Sequence, residues 1–409
     1  MESTAAPHPS LDAPPPLRGR DPGSFAAHTV RHRLRDILQQ TLDEGTFADR
    51  TTAQLQALHA EIPHAPIRPF DDPEAPDRAD WRRWIEPHRR DDWLNVPWFV
   101  AETYFYRRIV AATGYLRRPS PRRDPFRPQK TAGLASSRNA IHALAASVAP
   151  ALEAERPSID PLVRAQAAAL WGNRADLSLW PAGSGADRTT APNDAHILAD
   201  DRRRTAAWIV DAAPLDRIDV VLDNAGFELV SDLTLVALLL ETNAAATVQL
   251  HVKAHPTFVS DAVVLDVNET IRALATADAA ATRTLGTRLR AQQADGRLAL
   301  TAPFFWTSPH PAWMMPDDLA RSLEASDLVI TKGDANYRRL LGDRPWPPTT
   351  PFDAIVGSLP TRVLALRTLK SEVVAGLDAA TVDRLETDDP EWRINGEWGV
   401  VQFAAPDAS

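Results

Sequence analysis

The 409-residue chain has no cysteine, which removes disulfides, thiolate metal sites and cysteine nucleophiles in one step. That fits a reducing compartment, so the cytoplasm is the expected location. A basic excess is missing as well. The formal charge is −9, whereas a protein that neutralises nucleic-acid phosphates needs the opposite sign. The longest apolar run near the centre is Leu235 to Leu240, far short of a membrane span. The opening Met1-Glu-Ser-Thr-Ala-Ala-Pro has neither the basic nor the apolar region of a secretory signal. Glycine is scarce, and no Gly-x-Gly-x-x-Gly turn occurs.

What is present is ordinary in bulk. Hydrophobic content of 44% and charged content of 24% are those of a soluble globular protein, long enough for two or three domains. Residues 1–24 carry Pro7, Pro9, Pro14, Pro15, Pro16 and Pro22 and read as a disordered tail. Residues 25–211 are mainly helical in pattern, with apolar spacing of three and four from Val30 to Leu42. Trp98 to Thr113 forms a helix between Pro97 and Gly114, with Trp98, Glu102, Phe105 and Ile109 on one face. A Glu among aromatics is either solvated or paired. The basic, Pro-rich residues 117–133 read as an exposed loop. Helices are expected at about 135–155, 159–171 and 197–211, with Asn173 and Asp176 in a turn.

From residue 212 onward strands and helices alternate, the pattern of a parallel sheet. Ile218 to Leu222 is a β-branched run that breaks at Asp223-Asn224-Ala225-Gly226 and continues as a helix from Phe227 to about Glu241. Further strands fall at 247–253, 327–331, 362–367 and 399–403. Helices are expected at about 260–274, 280–294, 316–324, 335–341 and 378–385. The fold class is therefore α/β, a three-layer α/β/α sandwich with a mainly parallel Rossmann-like sheet plus an N-terminal helical portion.

Each strand of this half ends in polar residues, and parallel strands deliver their carboxyl ends to one edge. Asp223, Asn224 and Asp261 offer only oxygen ligands, which suit a hard divalent ion. Lys332, Arg338, Arg367 and Lys370 offer cations that suit a phosphate. Asp334 is either the N-cap of the next helix or a ligand contact. Three other motifs carry less weight. Val-Leu-Asp-Asn-Ala-Gly is like part of the short-chain dehydrogenase pattern, but no tyrosine has a lysine four residues on. His251-Val-Lys-Ala-His255 has zinc spacing but lies on a strand. Gly183-Ser-Gly185 lacks the strand that precedes a nucleophile elbow.

Asp223-Asn-Ala-Gly-Phe-Glu-Leu229, Phe258-Val-Ser-Asp261, Lys332-Gly-Asp-Ala-Asn-Tyr-Arg338 and Arg367-Thr-Leu-Lys370 together resemble the metal-dependent damage-control phosphatases. The resemblance is to the subfamily with an Arg-Thr-x-Lys motif, which includes proteins called acidic-residue methyltransferases. Trp98 to Arg107 and Leu170 to Leu177 are similar to the same subfamily. The resemblance implies hydrolysis of small phosphate monoesters, typically sugar phosphates such as fructose phosphates. It implies Mn²⁺, Co²⁺, Ni²⁺ or Mg²⁺ held by Asp223, Asn224 and Asp261. It also implies substrate contacts from Asp334, Asn336, Tyr337, Arg338 and Lys370, with Glu228 in the same motif as the metal pair. On this reading Lys332 and Arg338 join Lys370 in stabilising the transferring phosphoryl group. Glu102, Arg107, Asn173 and Asp176 close over the sugar, and the partner is a small phosphorylated metabolite rather than nucleic acid or membrane. A second reading is S-adenosylmethionine-dependent esterification of protein carboxylates. The sequence favours it less, because no Gly-rich loop follows a first strand. A third is a non-catalytic sugar-phosphate binder.

Overall fold

The structure is a computed structural model that describes residues 12–70, 72–117, 123–172 and 194–406. Its centre is a seven-stranded sheet: β1 (Ile197–Asp200), β2 (Leu215–Val221), β3 (Ala245–His251), β4 (Leu298–Thr301), β5 (Leu328–Lys332), β6 (Arg362–Thr368) and β7 (Gly399–Ala404). The strand order is β1-β7-β6-β5-β2-β3-β4. Every described neighbour pair is parallel except β6 with β7. From β2 the chain builds outward through β3 and β4, then returns to lay β5 against the other side of β2. The gap between the carboxyl ends of β2 and β5 is thus a topological switch point, where open α/β sheets bind ligands.

Alternation along the strands explains the layers. Ile218, Val220, Leu328, Ile330 and Leu364 enter one core with the helices Phe227–Glu241 and Ile159–Trp171. On the opposite face Val363, Ala365 and Val400 join a second core, and Val221 and Val329 a third, smaller one. That second core also holds Val30, Leu38, Trp93, Trp98 and Phe105, so the N-terminal helices share one core with this face of the sheet. The helix Phe227–Glu241 is buried from Phe227 to Leu240, because it is apolar on all sides and lies between sheet and outer helices.

Several expectations are corrected. The stretch expected as helix at about 197–211 begins instead as edge strand β1, which pairs with β7; the helix Arg202–Ala212 follows it. β4 has too short an apolar run to be legible as a strand. Part of the expected Pro-rich tail is packed: Leu17 is buried, and Arg18 bridges to Pro97. The basic stretch 117–133 is not simply an exposed loop. Its end begins the helix Arg127–Ser136, and Lys130 is buried between Asp124 and Asp266. The helix Trp98–Thr113 has the expected bounds, with Gly114 in the left-handed region at φ 69°, the usual helix stop.

Candidate active site at the switch point

Two backbone hydrogen bonds bring the expected metal residues together. Ala225 N donates to Ser260 O at 2.7 Å and Ala262 N donates to Asp223 O at 2.7 Å, which pairs Asn224 with Asp261 across an antiparallel bridge. The turn that delivers Asp261 is strained. Phe258 and Val259 have φ of 47° and 67°, a region β-branched residues rarely occupy. Phe258 is held there by rings from the helix Trp98–Thr113, with Phe99 at 6.2 Å and Tyr106 at 5.2 Å.

The Asn224 amide is fixed on both sides. Its Nδ2 donates to Asp223 Oδ2 at 2.9 Å and to Glu228 Oε2 at 2.8 Å, and its Oδ1 accepts from Ser260 Oγ at 2.5 Å. Behind it stands an ion-pair ladder. Lys332 Nζ lies 3.4 Å from Glu228 Oε1 and 3.2 Å from Asp232 Oδ1, and it donates to Ala169 O. A second ladder supports Asp261, whose Oδ2 lies 3.1 Å from Lys253 Nζ. All of these charged side chains are buried.

The electrostatics follow from the count. Four buried carboxylates (Asp223, Glu228, Asp232 and Asp261) meet two buried ammonium groups, Lys253 and Lys332. The carboxyls outnumber these two ammonium groups, and the buried Arg339 guanidinium and the Lys370 ammonium also act on Asp261 and Asp223. Burial, reinforced by Asp261 and Glu228, holds the Asp223 carboxyl well above its ordinary range. Burial also raises Asp261, against the pull of Lys253, and raises Asp232 to about 8. These are the marks of like charges crowded in low dielectric. Among the described residues no group of three or more His, Asp or Glu side chains is arranged to hold a metal ion. The expected trio is two carboxylates and an amide oxygen, and that chemistry fits a hard divalent ion. The buried Asp261 Oδ2 and Asp232 Oδ1 meet Lys253 and Lys332 as ion pairs rather than through well-aligned hydrogen bonds, and Asp232 Oδ2 makes no hydrogen bond among the described residues.

The cations expected to meet phosphate are unequal. Arg338 Nη1 donates to Glu102 Oε2 at 2.7 Å and Nε to Asp343 Oδ1 at 2.7 Å, with the guanidinium 3.5 Å above the Trp98 ring. Arg367 Nε donates to Asp334 Oδ1 at 2.9 Å. Ser371 Oγ and the Lys370 N–H donate to that same oxygen, so Asp334 neither caps the helix Gly333–Leu340 nor lacks partners. Its carboxyl is held low although burial pushes the other way, because Arg367 and Arg338 face it. Lys332 is committed as described. Among the described residues only Lys370 of this expected quartet makes no side-chain ion pair, and its charge still reaches Asp223.

Other expected residues have structural partners. Arg107 is fully buried and grips Asp77 with Nε and Nη2 at 2.7 and 2.8 Å. Tyr337 OH donates to Gln402 Oε1 at 2.8 Å. Asn336 Nδ2 donates to Leu222 O at 3.1 Å and Lys332 O at 2.8 Å, which locks the ends of β2 and β5 together. Asn173 and Asp176 lie outside the described residues. Lys253 was expected only as a strand-ending residue and Ser260 and Gly333 only as members of motifs, none with a role of its own, and Asp232 was not expected at all. Asp232 had a signal, a charge one turn after Glu228 in a helix otherwise mostly apolar. Gly333 had one too, a glycine directly after a strand.

Fold and edge together define an α/β enzyme whose site lies between the carboxyl ends of its central strands. Residues 29–385 match the model of the damage-control phosphatase ARMT1-like domain; the chain belongs to that family and is a phosphatase. It is 33% identical to damage-control phosphatase ARMT1 of Danio rerio, covering 96% of this chain and 97% of that one. The Mus musculus protein of that name is 31% identical, covering 97% and 99%, and the Homo sapiens protein is 29% identical, covering 96% and 99%. A DUF89 family protein from Pyrococcus horikoshii aligns with a TM-score of 0.47 at 13% identity, covering 92% of this chain and 97% of that one.

Proposed function

We propose that this phosphatase hydrolyses phosphate monoesters of small metabolites, sugar phosphates such as fructose phosphates among them, with a divalent metal held by Asp223, Asn224 and Asp261. The observation that carries the reading is the crowding of four buried carboxyls at the switch point, beside a lysine without a described ion-pair partner. A bound Mn²⁺, Co²⁺, Ni²⁺ or Mg²⁺ would relieve that crowding, act as a Lewis acid toward a phosphate oxygen and lower the pKa of a water.

The chain's own residues do the rest. Glu228 and Ser260 hold the Asn224 amide so that its oxygen, with one lone pair taken by Ser260, keeps the other for an ion. Lys370 supplies a mobile positive charge to the phosphate oxygens. The helix Gly333–Leu340 starts at the same edge, and the first N–H groups of a helix have no intrahelical acceptor, which suits an anion. Glu102 acts on substrate only through Arg338, and Arg107 only through Asp77, so both shape the wall of the site. Lack of cysteine supports a cytoplasmic setting. No described helix is long and apolar enough to cross a membrane.

Among the described residues no feature favours transfer from S-adenosylmethionine: β2 runs into Asp223-Asn224-Ala225-Gly226 rather than into a Gly-rich loop. The test is phosphate release from a panel of sugar phosphates by protein stripped with chelator and resupplied with each metal. Release should return with metal and be lost in Asp261→Ala. Metal-dependent release that survives in Asp261→Ala would sink the assignment.

A further inference from the structure

Lys253 closes β3 and points into the acidic cluster from inside the protein. Its backbone is pinned by Lys253 N donating to Ala262 O at 2.9 Å, and its side chain is 1% exposed. An ammonium group has three protons to donate, and two hydrogen-bond acceptors and one carboxylate oxygen at ion-pair distance surround this one. They are Asp261 Oδ2 at 3.1 Å, Leu222 O at 3.3 Å and Asn336 Oδ1 at 3.3 Å. Asn336 is itself tied to Leu222 O and Lys332 O, so the cradle cannot swing. Asp261 is the one carboxylate within ion-pair distance of Lys253 among the described residues. No hydrogen bond from them reaches its other oxygen, Oδ1.

We infer that Lys253 offsets one negative charge at the acidic cluster and holds Asp261 at Oδ2, so that it is the positioning residue which biases the site toward divalent rather than trivalent ions. The inference rests on Asp223, Asn224 and Asp261 being the metal-holding residues. Loss of Lys253 removes one buried positive charge directly beside Asp261. An added site charge attracts a trivalent ion more than a divalent one, because the Coulomb term scales with the product of charges. Oxygen donors suit hard ions of both kinds.

The experiment titrates the chelator-stripped full chain with Mn²⁺ and with Tb³⁺ by calorimetry, for wild type, Lys253→Met and Lys253→Arg. Lys253→Met should raise Tb³⁺ affinity relative to Mn²⁺ by about tenfold or more, whereas Lys253→Arg stays near wild type. A lysine that merely supported the fold would weaken both ions alike and leave the ratio alone. Comparing Asp232→Asn with Asp232→Asn/Lys253→Met repeats the test in a chain with fewer unpaired buried carboxylates, so the answer does not hang on the single variant folding. An unchanged ratio in both comparisons overturns the inference but leaves the metal reading intact. Wild type that binds no Mn²⁺ overturns the metal reading and the inference with it.

Discussion

Gly333 leaves room for Asp223. A side chain at Gly333 would place its Cβ 1.8 Å from Asp223 Oδ2, and the backbone there has φ of 81°. Strands β2 and β5 are neighbours, so the residues just beyond their ends compete for one space, and a glycine lets the carboxylate occupy it. Gly333→Ala therefore meets both a steric clash and a backbone region costing an L-residue about 1 kcal/mol. We expect phosphatase activity to fall by roughly 100-fold or more, the scale for a misplaced catalytic group, with a lowered melting temperature. Steady-state kinetics beside thermal unfolding checks this; activity within a factor of three of wild type would contradict it.

Lys370 tests which cation meets the substrate. Lys332, Arg338 and Arg367 already have carboxylate partners, so removing any of them injures the fold as well as the site. Lys370→Ala removes a charge with no described ion-pair partner and should leave stability nearly unchanged. Its expected signature is a kcat loss of roughly 10²- to 10³-fold with Mn²⁺ affinity retained. Equal losses of stability and activity would mean that Lys370 supports structure.

Glu102 is the reverse case. It is buried with Arg338 at 2.7 Å, so Glu102→Ala strands a guanidinium and should cost ~3 kcal/mol, the low end for a broken buried pair because Asp343 still faces Nε. Urea unfolding measures it. A raised KM without loss of stability would instead make Glu102 a direct substrate contact.

How far these roles were legible in the sequence depends on the kind of signal. Strands β2, β3, β5, β6 and β7 and the helix Phe227–Glu241 announced themselves because burial on both faces demands continuous apolar runs. Asp223, Asn224 and Asp261 converge as expected, since parallel strands share an edge. Edge strand β1 was hidden by helical spacing that continues into Arg202–Ala212. Which cations are free was not legible at all. Pairing of Arg338 with Glu102 spans 236 residues, and no local pattern encodes it. Lys253 was visible as a strand-ending lysine, but its depth beneath Asp261 depends on where the strained Phe258-Val259 turn sends the chain.

The crowding of carboxylates gives stability a pH dependence whose sign is fixed. A carboxyl whose folded pKa is raised binds more protons folded than unfolded, so its contribution to stability falls as pH climbs from the unfolded value to the folded one. For Asp232 that window runs from 3.8 to about 8. His255 and His310 oppose it at the acid end. Burial lowers each from 6.5 to about 4, so they add stability as pH rises across that range and nothing above it. Between about 6.5 and 8 the carboxyl effect therefore acts without the opposition of these histidines. Metal-free protein should show a melting temperature that falls over this interval. Saturating Mn²⁺ should flatten the slope by neutralising the cluster, and Asp232→Asn should flatten it without metal. Calorimetric scans at several pH values, with and without Mn²⁺, would show this. A melting temperature that rose from pH 6.5 to 8 in the metal-free protein would mean that the crowding of carboxyls at the switch point does not govern stability over this interval.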